Sequence, residues 1–267
     1  MQSPYRRFAS VLARKAGLYA PLRNLYNSLV LSRATRSVSV GAIHVSFLTP
    51  THTIVEHVES LGGERDIIEE FLLDIRDNDI FWDVGADFGL YTVLAAGRIS
   101  SRGAVVAFEP EPRMRALCER NLKLNGSNTV TVLAVALGDR DGAAELFGAA
   151  NPNSGTSSLA RREDYRLKEK GIQVELHRGD TIIGGRGFIP PTCMKIDVEG
   201  GEGRVVAGIV NLLRGGQLRS LYCEVHPRLL PSFGDSAESF ERTLLASGFR
   251  IDKKIPRGRE YHIVCRR

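Results

Sequence analysis

The chain has 267 residues, 43% of them hydrophobic and 25% charged, a make-up that suits a globular protein with a sizeable core and excludes a disordered or fibrous one. No stretch approaches the roughly 18 uninterrupted apolar residues of a spanning helix, and Cys118, Cys193, Cys223 and Cys265 form no C-x-x-C pair, so they read as reduced core residues of a cytoplasmic protein. The net charge of +5 is uneven: residues 1–55 hold seven Lys or Arg and no acid, and the remaining 29 of the 36 basic residues face all 31 acids, which excludes a uniform nucleic-acid-binding surface.

Taken in chain order, YRRFASVLARK is too soon interrupted by Arg14 and Lys15 to serve as a signal peptide. Helices are expected over 5–16 and 20–32, with Pro21 in a first helical turn and Leu18, Leu22, Leu25 and Leu29 in one apolar stripe. That stripe either packs on the body of the protein or docks this cationic arm (residues 1–36) on the inner membrane face or on a second copy. Alternating β-branched residues predict a hairpin over 38–58, and a helix from 64 leads into a strand at 80–84. Helix 89–98, strand 104–109, helix 112–124 and strand 129–137 follow, the alternation of a parallel sheet with right-handed crossovers.

The rhythm breaks at Gly138 and returns at TCMKIDV (192–198), so about fifty residues stand where one crossover would suffice. This insertion, about 138–191, holds a turn-rich piece, a strand GIQVELH and a Gly/Pro stretch, GGRGFIPP. Helix 201–214, strand 219–225, helix 235–247 and an antiparallel pair at 249–255 and 260–265 complete the chain. The expected organisation is an arm and hairpin over 1–63 and a catalytic domain over 64–267.

Chemistry gathers where strands stop. FWDVGADFG ends the first strand of the domain with Gly85 and Gly89, which tolerate positive φ and admit close backbone approach to a ligand at the rim of a doubly wound sheet. A nicotinamide dinucleotide would want glycine at the centre of this turn; Asp87 stands there and would repel a pyrophosphate, which disfavours an oxidoreductase. S-adenosylmethionine, cationic and free of phosphate, suits an acidic turn, and Glu109, twenty residues after Gly89, is placed for its ribose. MKIDVEGGE brings Asp197 and Glu199 to the same rim, as site residues or as caps of the next helix. Lys195 either pairs with one of these acids or points to the opposite face. CEVHP adds Glu224 and His226, the latter a natural general base or a surface histidine before a Pro turn. No third ligand is fixed beside Asp197 and Glu199 by spacing, so no metal is expected.

In order and spacing, DVGADFG, VVAFEPEP, AVALGDRDG, NSGTSSL, MKIDVEGGE and CEVHP resemble the FkbM-like family of S-adenosylmethionine-dependent methyltransferases over roughly 64–267. The resemblance implies an α/β, Rossmann-like class I methyltransferase fold: a mostly parallel seven-stranded sheet closed by an antiparallel hairpin. It implies O-methylation of a hydroxyl on a sugar, glycan or natural-product scaffold. Asp83, Gly85, Asp87 and Gly89 would form the methionine-side loop, Glu109 would hold the ribose, and Ala136, Leu137 and Gly138 would border the adenine. Asp197 and Glu199 would face the methyl group and acceptor. Apart from the resemblance, Asp197, Glu199 or His226 is expected to take the proton, while the insertion near 150–165 closes over the acceptor; Ser154, Thr156, Ser157 and Ser158 either hydrogen-bond acceptor or cofactor or belong to an ordinary solvated loop. The family usually has Asn at position 87, so an ionised Asp87 would lose the amide's donor contact. Gly201 stands where Ala is common. A non-catalytic binding module anchored by the arm is the remaining alternative.

Overall fold

The computed structural model describes residues 34–127, 129–148, 157–159 and 171–267, with position 21 standing alone. The helices expected over 5–16 and 20–32, and with them the leucine stripe, lie outside these residues, as do Ser154 and Thr156. Among the described residues no helix is long and apolar enough to cross a membrane.

Strands β1 (Thr35–Val40) and β2 (Ile43–Leu48) form an antiparallel hairpin, shorter than the expected 38–58. The excess is helical: Thr51 accepts the Ile54 N–H at 3.2 Å and caps α1 (His52–Ser60). Then come α2 (Arg65–Asp74), β3 (Ile80–Val84), α3 (Leu90–Arg98), β4 (Ala104–Phe108), α4 (Pro112–Leu124) and β5 (Val130–Leu133), close to expectation. The strand read over 129–137 instead divides at Ala134. Its first half stays beside β4, whereas β6 (Val135–Leu137) turns away to a second sheet with β7 (Gly142–Gly148), β8 (Ser157–Ser158) and β9 (Ile172–His177), in the order β6-β9-β7-β8. Among its described residues, the insertion therefore adds β7, β8 and β9 to β6 in a four-stranded sheet.

Part of its Gly/Pro stretch folds as α5 (Gly179–Arg186), which leads to β10 (Cys193–Ile196). The single helix expected over 201–214 is two, α6 (Glu202–Ala207) and α7 (Val210–Gly215). Asp180 of α5 accepts the Asn211 and Leu212 amides at 3.0 and 3.1 Å, capping α7 from a distant segment and holding the break open. β11 (Ser220–Val225), α8 (Ala237–Ala246), β12 (Arg250–Arg257) and β13 (Glu260–Arg266) follow.

The main sheet runs β12-β13-β11-β10-β3-β4-β5, parallel from β11 to β5 and antiparallel at β13 and β12. The chain winds outward from β3 in one direction and resumes at β10 in the other, so the switch point lies between β3 and β10. Both faces are covered. Phe81 packs with Ile68, Phe71 and Leu94 under the hairpin and α1–α4, while Trp82 and Val84 pack with Val205, Leu213 and Phe240 under α5–α8. The period-2 alternation that divides these faces also places Asp83, Lys195, Glu224 and His262 on the hairpin side, with Asp83 paired to Lys195 and Glu224 to His262 across strands. Cys118, Cys193, Cys223 and Cys265 are buried and free.

The hairpin is fastened by amides of α4. Buried Asn121 accepts the Leu48 N–H and donates to the Phe88 carbonyl, both at 2.8 Å, and Asn125 makes the same kind of pair with the Ser46 backbone at 2.9 and 2.7 Å. Substitution Asn121→Leu orphans a buried N–H and a buried C=O, each worth about 1–3 kcal/mol. Urea denaturation should show a stability loss of about 2–6 kcal/mol for the two groups together, whereas Asn125→Asp, on the part-buried neighbour, should cost less.

Candidate active site

The turn after β3 is set by backbone. Gly85 and Ala86 N–H both donate to the Phe108 carbonyl, at 3.0 and 3.1 Å, which locks the turn to the end of β4. Gly85 has φ +78°, and a Cβ there would lie 1.9 Å from the Asp197 carbonyl oxygen. Gly89, at φ +92°, would place a Cβ 2.7 Å from Cys118 Sγ. Both glycines were expected to admit a ligand; the space each leaves is taken by protein, the loop after β10 in one case and α4 in the other. Between them Asp87 sits at φ +51°, and its N–H donates to Glu109 Oε2 at 2.7 Å.

Glu109 follows β4, and its other oxygen accepts the Glu111 N–H at 2.8 Å. Burial outweighs these two amides and lifts its carboxyl to about 7. Asp87 is pushed well above the carboxylate range, by burial first and by the adjacent Glu109 second, and its Oδ1 is buried without a hydrogen-bond partner among the described residues. This shift favours the protonated carboxyl, the form that can donate.

On the hairpin-side face Lys195 proves to be a charge partner. Its Nζ donates to the Gly85 carbonyl at 3.0 Å and lies 3.3 Å from Asp197 Oδ2 and 3.6 Å from Asp83 Oδ1. Burial alone would lower the lysine, but the two carboxylates win and raise it. Burial would likewise raise Asp197, yet Lys195 and then His226 hold it below the usual range. Fully buried Asp83, which accepts Thr92 Oγ1 at 2.5 Å, is raised by its desolvation.

Glu199, two residues on, has φ +52°, and its carbonyl accepts Ser158 Oγ at 2.8 Å, tying the insertion's short β8 to this rim. His226 Nδ1 donates to Glu202 Oε1 at 2.7 Å, and its Nε2 points toward Glu199 Oε2, 3.8 Å away. Burial would drive the imidazole toward neutrality. The Glu202 hydrogen bond and the surrounding carboxylates reverse this and take it up to about 10.

Gly85, Asp87, Glu109, Lys195, Asp197, Glu199 and His226 line one cavity of about 700 Å³. One end is bounded by Asp87, Glu109, Phe108, Ala136 and Leu137 of β6 and the following Gly138, the other by Lys195, Asp197, Glu199 and His226. Of the residues singled out in the sequence, Asp83 and Gly89 do not reach the cavity: Asp83 is fully buried beside Lys195, and Gly89 is packed on α4. The far wall was not foreseen. Glu64 precedes α2, accepts Tyr91 OH at 2.8 Å and lies 3.2 Å from Arg257 Nη1, which contacts Glu224 Oε1 at 2.5 Å. Arg257 also donates to the Gly62 carbonyl at 2.5 Å. Glu224, buried among other acids, is raised to about 8, whereas burial lowers His57 and His262 to about 4 and leaves both neutral. His262 could have been noticed as an inward position of an alternating strand; nothing local marks Glu64 or Arg257.

Comparison with known proteins identifies the family. Residues 83–251, more than half of the chain, match the model of the methyltransferase FkbM domain. The chain is similar to the hexuronic acid methyltransferase AglP of Haloferax volcanii, with 26% identity over 201 residues that cover 74% of this chain and 77% of that one. It is also similar to the AMB antimetabolite synthetase AmbE of Pseudomonas aeruginosa, at 27% identity over 63% of this chain but only 9% of that protein. A solved FkbM methyltransferase from Methylobacillus flagellatus aligns with 74% of this chain and 46% of its own at 15% identity and a TM-score of 0.49, so the chain spans less than half of that structure. By its matched domain, the chain belongs to the FkbM family of methyltransferases.

Proposed function

We propose that the protein transfers the methyl group of S-adenosylmethionine to a hydroxyl of a sugar or glycan acceptor. The reading is carried by the single cavity that joins Glu109 and Asp87 at one end to Asp197, Glu199 and His226 at the other. Glu109 keeps both carboxylate oxygens oriented by backbone amides and accepts the ribose hydroxyls. Gly85 and Asp87 of the turn border the methionine portion, with Asp83 and Gly89 supporting that turn from behind, and Ala136 and Leu137 lie against the adenine. The acidic rim attracts the sulfonium and the amino-acid ammonium. The family membership supports methyl transfer, and the sugar-acting relative supports a hydroxylated acceptor.

In the step itself the acceptor oxygen attacks the methyl carbon, a C–O bond forms, and the C–S electron pair returns to sulfur. The sulfonium supplies the leaving group, so alignment is the protein's main task, worth on the order of 7 kcal/mol or more in favourable cases. Asp197 and Glu199 receive the hydroxyl proton. The base role first read for His226 passes to these carboxylates, because a His226 imidazolium held by Glu202 has no free lone pair and serves to balance their charge. Ser157 and Leu159 bring the insertion to the cavity wall, where it screens the acceptor from water.

Calorimetry should detect S-adenosylmethionine binding and none by NAD; the opposite result removes this reading. Ionised Glu109 is the form that accepts both hydroxyls, and that form is lost as pH falls through about 7. Cofactor affinity should therefore drop below that pH by no more than about tenfold per unit, and the dependence should vanish in Glu109→Gln. Burial and Glu109 favour the protonated form of Asp87, which an amide imitates, so Asp87→Asn should keep its cofactor affinity within about threefold of the parent at neutral pH. A loss of a hundredfold would show that the carboxylate is needed as an anion. With labelled S-adenosylmethionine and a panel of uronic-acid and neutral glycans, Asp197→Asn and Glu199→Gln should each lower kcat on the order of 10²-fold while cofactor binding persists. Unchanged turnover in both removes these acids from the proton path.

A further inference from the structure

We infer that the acceptor end of the cavity binds a hard divalent cation, of the magnesium or manganese class, through Asp197, Glu224 and His226. The inference rests on the proposed reaction for the ion's role but not for its existence. Ligand atoms of these three side chains lie within 4.8 Å of one another, close enough to share one ion. They reach that spot from the ends of two adjacent strands, β10 and β11, so the sheet holds the spacing rigid. Each carboxylate spends one oxygen on a fixed cation, Asp197 Oδ2 on Lys195 and Glu224 Oε1 on Arg257, and keeps the other.

His226 is braced as metal-bound histidines are. Its Nδ1 donates to a fully buried carboxylate, Glu202, itself fixed by the Gly200 N–H at 2.9 Å, which aims Nε2 at the cavity. An independent sign of a missing partner lies beside it. His262 is 6% exposed, its Nε2 has no hydrogen bond among the described residues, and it faces Glu224 Oε1 from 3.9 Å within a second three-residue group, Glu64, Glu224 and His262, that shares Glu224 with the first. Six carboxyls, Glu64, Asp83, Asp197, Glu199, Glu202 and Glu224, crowd here against Lys195, Arg257 and the imidazole of His226. A divalent ion would compete with a proton for His226 Nε2, and an acceptor hydroxyl bound to that ion would lose its own proton more readily.

The test is titration of Mn2+ into the full chain saturated with S-adenosylhomocysteine, followed by electron paramagnetic resonance. One ion per chain is expected, with nitrogen coupling from an imidazole, and Glu224→Gln should weaken its binding at least about tenfold while the affinity for S-adenosylhomocysteine is kept. No bound Mn2+, bound Mn2+ without nitrogen coupling, or affinity indifferent to Glu224→Gln each overturns the site. If that variant does not fold, the coupling in the unaltered protein decides alone. Binding of S-adenosylhomocysteine, measured separately, shows whether the methyltransferase reading or only the cation has failed.

Discussion

A buried lysine bridging two strand ends is the contact on which the site depends. Lys195 lies on β10 and reaches across the switch point to Asp83 on β3, to the Gly85 carbonyl in the turn that follows, and to Asp197 at its own strand's end. A charge so enclosed is costly unless every partner is in place, and removing one would leave the others uncompensated in a poor solvent. The same junction is closed sterically by the Asp197 carbonyl packed where a Gly85 side chain would begin. Electrostatics and packing thus fix the separation of the turn proposed for the cofactor from the acids proposed for the acceptor, and alignment over that distance is what methyl transfer from a sulfonium requires.

What could be read from the sequence is what is encoded locally. Asp83, Gly85, Asp87, Gly89 and Glu109 stand at strand ends before helix starts, and a doubly wound sheet collects such places at one rim. Asp197, Glu199 and His226 obey the same rule, and they meet Gly85, Asp87 and Glu109 at the cavity, whereas Asp83 and Gly89 lie behind its wall. The physical reason for the glycines was different, since protein atoms and not a ligand press on them. Asp87 looked like a loss relative to an amide, because ionisation depends on burial and on Glu109, neither of which a linear sequence displays.

The elements that escaped were decided by distant partners. VTVLAVAL is one continuous apolar run, and its division into β5 and β6 is imposed by β9, which competes for the second half. The split helix after Gly200 answers to Asp180, a residue in a different segment. Glu64 resembles any acid before a helix and Arg257 any basic residue near a hairpin tip. Only the sheet order, with β12 and β13 folded back beside β11, sets them opposite each other.

Arg257 joins the tip of the last hairpin to the Gly62 carbonyl and to Glu64 near the start of the described chain. The acceptor wall is consequently a closure between segments almost two hundred residues apart, and contacts of such separation form late because the intervening loop must first be ordered. During synthesis the nucleoside-side half, β3 to β6, can assemble while the chain is still growing, but the chamber acquires its floor only when the final strands have been delivered. A ribosome-bound chain lacking them would hold the donor's binding elements with no enclosed place for the group that receives the methyl.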